Sequence, residues 1–513
     1  MPEHLRALVV VLALSGLSFW LMRPAVIGLV GAATFRQWRN LWLGLSLVAF
    51  LSHSFWVYAL VVALVLTMKR PPLGHVVGVW LLMMFLVPPA GVNIPGFGII
   101  NYVFTLNHLR LLSLVLLVPA ALVLLQQSAS LRLGSTWADK LLLVYVLLAA
   151  VLQLREANIT STLRGCFYLF TDVFLPYYVA SRSLRTLEDF KHALTGFLVS
   201  AALLAALAMF ETLRHWNLYA ALTGALGIQW NFGGYLARAG LQRASGTAGQ
   251  AIALGYVLAL ALGAYWWLKA HNPSARRAVL GVLVLSGGLL ATLSKGPWLG
   301  AMVMVVAYLA LGPRPGAQLG KAVVVSLLCL PLLAVIDTPG GYKAIDLLPF
   351  IGQQDVGSFT YRDQLLENSL IVIERNFWLG SVDYLQTPEM QRMMQGEGII
   401  DIVNSYIQVA LEGGVVGLSL FVGAFVLAGL KVLKRQRAAQ KSQNLTEADL
   451  GRALVAMLCG TATIIYTVSS ISVIPWLYWT LLGMCVAYGY GLVPSNTKSR
   501  VDAGASPSGA TVA

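Results

Sequence analysis

The sequence predicts an all-α polytopic membrane protein: a bundle of about 14 transmembrane helices, with 12 to 16 as the bounds, and a large loop carrying amphipathic helices. Three observations lead there. The 513 residues are 58% hydrophobic and only 11% charged, whereas soluble domains carry about 25% charged residues. The apolar residues come in runs of about 16–24, long enough to cross a hydrocarbon core of ~30 Å. The short alternating segments of a β-barrel are not present.

In chain order the spans read as 5–22, 41–68, 76–94, 109–127, 139–154, 163–181, 190–213, 251–270, 278–293, 297–312, 319–337, 408–431, 452–469 and 473–493. Leu5–Met22 lacks a small-residue cleavage site and reads as a first span rather than a signal peptide. The piece 24–35 is too short to cross and reads as interfacial or re-entrant; 41–68 is long, with His53 as a candidate break. This divides the chain into amino-terminal helices (1–160), a core (161–337) with an outer loop at 214–250, a large outer loop (338–407), carboxy-terminal helices (408–493) and a Ser/Ala/Gly-rich tail (494–513) expected to be disordered.

Orientation follows from the bases. Lys69-Arg70, Arg182/Arg185/Lys191, Lys269/Arg276/Arg277, Arg314/Lys321 and the run from Lys431 to Lys441 fall on one side, with both termini, and that side is expected to be cytoplasmic. The loop 338–407 shows the opposite bias, nine acids against four bases, as an outer loop should. Within it "YRDQLLENSLIVIERNF" has the apolar spacing of one or two amphipathic helices. The net charge of +14 is thereby assigned to topology, and a nucleic-acid partner is excluded. Cys166, Cys329, Cys459 and Cys485 lie inside apolar runs as packing residues. The seven His have no HxH or HxxxH spacing, so no metal and no cofactor is expected.

Three polar stretches map to the outer face. In "GLQRASGTAGQ", Arg243 precedes small residues that let backbone N–H groups approach an anion, although a snorkelling arginine with a flexible entry turn fits the same letters. In "LLATLSKGPWLG", Lys295 sits in a short turn between two spans, where an ordinary interfacial lysine would also sit. In the third, Arg362 opens a helix-like segment that leads to "IVNSYIQVALEGG". There Asn404, Gln408 and Glu412 are four apart and share one helical face. An intramembrane acid marks a functional site by default; a helix N-terminus would explain Asn404 more easily than Glu412, which is two turns in. Arg243, Lys295 and Arg362 on one face suggest a diphosphate, whose growing negative charge in a transfer reaction fixed cations can stabilise.

The order Arg-x-x-Gly-Thr before a span, Ser-Lys-Gly between spans, Arg–helix–"LG" and then "NSYIQVALEGGVVGL" resembles the bacterial O-antigen ligase/polymerase family, which includes exopolysaccharide polymerases. The resemblance covers about 160–430 and is strongest at 240–300 and 360–418. It implies a GT-C-like bundle with a helical periplasmic loop, and a metal-independent, inverting glycosyltransferase. It also implies an undecaprenyl-diphosphate-linked glycan donor, an acceptor glycan, and a flippase or chain-length regulator as protein partners in the bilayer of the inner membrane. Carried over, Arg243 and Arg362 bind the diphosphate, and Lys295 stands where many members have Arg. Members commonly have His before the Asn of the last motif; here it is Val403, which takes no proton. The catalytic candidates are then Asp401, Glu397, Glu412 and Asn404, with Arg164 as a further donor-binding candidate and Asp172 a weaker one. The missing His favours a polymerase over a ligase acting on lipid A-core or on protein. A lipid-linked-glycan flippase is the competing class. No internal repeat is visible, which leans away from an inverted-repeat transporter.

Overall fold

The computed structural model describes residues 1–98, 100–127, 131–156, 158–228, 230, 237–271, 274–348, 356–395 and 398–493. The chain is mostly helical. Eight described helices are long and apolar enough to cross a membrane: Glu3–Val30, His108–Gln126, Trp137–Arg155, Leu187–Arg214, Ala251–His271, Pro315–Val335, Ser405–Lys441 and Leu445–Tyr466. Shorter apolar helices, Phe55–Met68, Leu73–Met83 and Lys295–Ala310, lie among them. The protein is a multi-pass membrane protein on this count. It is not purely helical: Gly91–Pro95 pairs antiparallel with Tyr102–Asn107, and Ala237–Arg238 with Leu241–Gln242.

The first hundred residues depart from the expected pattern. Positions 24–35 are not a separate element but the end of one helix, a turn and the start of the next. The first helix runs on through Pro24 to Val30, Gly31 turns at φ 84°, and the chain reverses into Ala32–Leu51. The two helices lie antiparallel: Phe19 meets the rings of Phe35 and Trp42, each at 6.1 Å, and His4 meets His53 at 5.3 Å. Positions 41–68 are not one span either. The chain turns at Ser52–Ser54, with His53 at φ 49°, and Phe55 N–H donates to the Leu226 carbonyl at 3.0 Å. Trp216 Nε1–H donates to the Glu3 carboxylate at 3.0 Å, while Val493 N–H donates to the Arg185 carbonyl at 2.8 Å. Glu3 and Val493 therefore sit by opposite ends of helix Leu187–Arg214. Arg23, Arg36 and Arg39 gather around the first reversal, and Trp38 of the same helix meets His192 near the start of helix Leu187–Arg214.

Two close approaches fix the end that carries the polar stretches. Helix Lys295–Ala310 packs on Leu445–Tyr466 through Gly300 and Gly460, where a Cβ on either glycine would lie 3.0 Å from the other's carbonyl oxygen. Small residues at such crossings let membrane helices touch backbone to backbone. The second approach is a helix break. Ser405–Lys441 is interrupted at Gly414, at φ 64° and ψ −167°. The segment 377–381 inserts there: Ser381 N–H donates to the Leu411 carbonyl at 2.8 Å, and Val415 N–H and Val416 N–H donate to the carbonyls of Phe377 and Trp378 at 2.8 and 3.3 Å. Arg155 completes the closure, donating to Gly380 O at 2.8 Å and Glu412 O at 3.0 Å. Backbone groups freed by a broken membrane helix must be satisfied from within the protein, and here they are. The amphipathic helix expected in the loop is Val356–Arg375; with the short helix Pro388–Gln391 it builds a small second core around Leu365, Met390, Ile402 and Leu411.

Candidate functional site

Arg243 is positioned by a buried acid at the end of helix Leu187–Arg214. The Glu211 carboxylate, 1% exposed, accepts from Leu218 N–H at 3.1 Å, Ser245 N–H at 3.1 Å and Gly246 N–H at 2.9 Å. Thr247 Oγ1–H anchors the same loop to Phe85 O at 2.7 Å. The Arg243 guanidinium then reaches the turn 292–295, donating from Nη2 to Ser294 Oγ at 2.9 Å and from Nε to Thr292 O at 3.3 Å. Arg238 donates to Leu293 O of the same turn at 2.6 Å. Lys295 follows as the first residue of its helix.

Arg362 arrives from the other direction, on helix Val356–Arg375. Its Nη2–H donates to Thr467 O at 3.3 Å. Thr467 in turn lies against Gly296, where a Cβ would overlap its Oγ1. The turn 294–296 thus has Arg243 on one flank and, through Thr467, Arg362 on the other. The structure brings Arg243, Lys295 and Arg362 together, with Arg238 as a fourth base.

The short loop 467–472 is the hub. Asp401 Oδ1 accepts from Ser469 Oγ–H at 2.7 Å, and Tyr361 O–H donates to Asp401 O at 2.9 Å. Burial pushes the Tyr361 phenol above its ordinary range, which keeps it a donor. Ser405 Oγ–H donates to Val468 O at 2.8 Å, Ser470 N–H to Gln408 Oε1 at 3.3 Å, and Ser472 Oγ–H to Ala248 O. Asp401 therefore lies one loop away from the bases.

The other expected residues separate from this centre. Asn404 is buried as the N-cap of its helix, its Oδ1 accepting from Tyr406 N–H at 2.9 Å and Ile407 N–H at 3.3 Å. That is a structural duty, and it satisfies orphan donors. Glu412 is a turn beyond Gln408, whose Nε2–H reaches Glu412 Oε1 at 3.0 Å, and it faces a cavity of its own. Arg164 lies over the Tyr102 ring at 3.8 Å and bonds its own helix at Thr160 O, 3.3 Å away. Asp172 pairs with Arg110 at 2.8 Å. Glu397 lies outside the described residues. Val403 packs against the second core. Among the described residues no group of three or more His, Cys, Asp or Glu is placed to hold a metal ion.

Sequence reasoning passed over Arg238, Glu211, Arg155 and the loop "TVSSIS". The loop had a signal, a Ser/Thr cluster between two apolar runs. A lone acid near the end of an apolar helix was the signal for Glu211.

Fold and site together define a polytopic helical membrane protein with a cluster of fixed bases at one end of the bundle. A family model described as O-Antigen ligase matches residues 280–422. This region, about a quarter of the chain, is similar to that family and holds Lys295, Arg362, Asp401 and Glu412 but not Arg243. No curated protein matches the chain.

Proposed function

We propose that the protein is an inner-membrane glycosyltransferase that joins an undecaprenyl-diphosphate-linked oligosaccharide to an acceptor glycan at the periplasmic face, acting as a polysaccharide polymerase. The observation that carries this reading is the gathering of Arg243, Lys295 and Arg362 about the turn 294–296. Arginine forks match phosphate oxygens bidentately, and lysine adds a point charge. The acceptor hydroxyl oxygen attacks the anomeric carbon. The new C–O bond forms as the bond from that carbon to the phosphate oxygen breaks, and the electron pair leaves with the lipid diphosphate. A single displacement inverts the anomeric centre. The cations stabilise the charge as it grows on the leaving group, a contribution commonly worth about 3–4 kcal/mol per donor. The hydroxyl proton passes to a carboxylate, for which Asp401, held by Ser469, and Glu412 are the candidates. Val403 rules out the family's usual histidine at that position, and this favours a polymerase over a ligase.

The test uses the full chain in liposomes with labelled undecaprenyl-diphosphate-linked repeat units. Longer glycans on the lipid support a polymerase. Transfer only to lipid A-core or protein supports a ligase. Movement of the label across the bilayer with no new glycosidic bond supports a flippase.

A further inference from the structure

A cavity of about 330 Å³ opens between helix Trp137–Arg155, the segment 381–385 and the first half of the broken helix. It falls within the roughly 300–1,000 Å³ of small-molecule sites. Its polar lining is the informative part. Gln408 and Tyr384 both donate to Glu412 Oε1, at 3.0 and 3.4 Å, leaving Oε2 without a protein donor among the described residues. Gln153, Glu156 and Tyr145 line the same cavity, and none of their side chains makes a hydrogen bond among the described residues, although the Gln153 amide lies against Gly165. Four residues whose side chains have unused hydrogen-bonding capacity among the described residues therefore line one space, beside the rings of Tyr145 and Tyr384.

Charge selects the ligand class. Among the described residues two acids, Glu156 and Glu412, line the cavity, and the guanidinium in its wall, that of Arg155, is committed to the backbone carbonyls of Gly380 and Glu412. A second diphosphate would be repelled. A neutral molecule rich in hydroxyls, with an apolar ring face for the tyrosines, fits acceptors, donors and platforms alike. The cavity is also coupled to the cationic centre: Glu412 bonds Gln408, and Gln408 bonds Ser470 in the loop that Arg362 holds at Thr467.

We infer that this cavity binds a saccharide unit of the acceptor glycan, presenting it along helix 405–412 to the donor held by the bases. The inference rests on the glycosyl-transfer reading for the word acceptor, but the binding itself does not. The experiment uses the full chain in nanodiscs and two probes. One is the set of water-soluble oligosaccharides released by mild acid from the host's surface glycans; the other is farnesyl diphosphate. Binding is followed by saturation-transfer NMR. Gln153→Ala and Glu156→Ala are the variants, because neither side chain makes a hydrogen bond among the described residues. Each is expected to weaken oligosaccharide binding about three- to tenfold, as for the loss of one hydrogen bond, with farnesyl diphosphate binding unchanged. Unchanged oligosaccharide binding in both variants, or no oligosaccharide binding to the wild type, overturns the inference. Oligosaccharide binding lost in the variants while the wild type ignores farnesyl diphosphate upholds the saccharide site and counts against the transfer reading instead.

Discussion

Arg362 Nη2 donates to the carbonyl of Thr467 at 3.3 Å, and Thr467 packs against Gly296. One arginine from the helical loop is thereby fixed beside the turn that Arg243 grips through Ser294. Arg362→Ala is expected to lower glycan transfer at least about 100-fold, with the protein still monodisperse on size exclusion. Arg362→Lys should recover only part of this, since an ammonium does not present the planar fork. Gel analysis of product length reads both.

Glu211 acts on the site through Arg243's loop. Glu211→Gln keeps the shape but replaces a two-oxygen acceptor of three N–H groups with one oxygen and an NH₂. Leaving a buried donor unmet costs about 1–3 kcal/mol. A fall of several degrees in Tm is expected, along with a raised donor KM. An unchanged Tm would show that the carboxylate does not hold the loop.

Gly414 and Gly380 interlock at the helix break. Both have positive φ, 64° and 66°, and a Cβ on either would overlap backbone of the opposing segment. Ala at either position combines left-handed strain of about 1–2 kcal/mol with a clash that only backbone movement relieves. Poor recovery of folded protein is expected from both. Ala at Gly316, where a Cβ meets nothing within 4 Å, should be tolerated and serves as the control.

The base is separable by kinetics. Removing a general base costs about 10²–10⁴ in rate. Asp401→Asn and Glu412→Gln should differ by that much, and the damaging substitution should also abolish the fall in rate at low pH that protonation of a carboxylate base produces. Full activity in both would exclude both residues.

The membrane class, the amphipathic loop helix and the three bases were legible because each is local: an apolar run, a period or a charge beside small residues. The topology of residues 1–70 was not. Composition could not distinguish one long span at 41–68 from two helices that reverse at His53, since both halves are apolar, and the φ of 49° that makes the turn leaves no mark on hydropathy. The helical-face argument put Gln408 beside Glu412 but could not see that Asn404 is spent on capping. Loop 467–472 was missed because its contacts come from segments more than 60 residues away, such as Asp401 and Ser405.

The central claim is that Arg243, Lys295 and Arg362 form one diphosphate site. Titration of the purified protein with farnesyl diphosphate, for the wild type and for R243A, K295A and R362A, tests it most directly. The account predicts saturable binding by the wild type, weakened at least about tenfold by each substitution, with double substitutions adding less than the sum of the singles because the three share one ligand. Wild-type affinity in all three variants would contradict it.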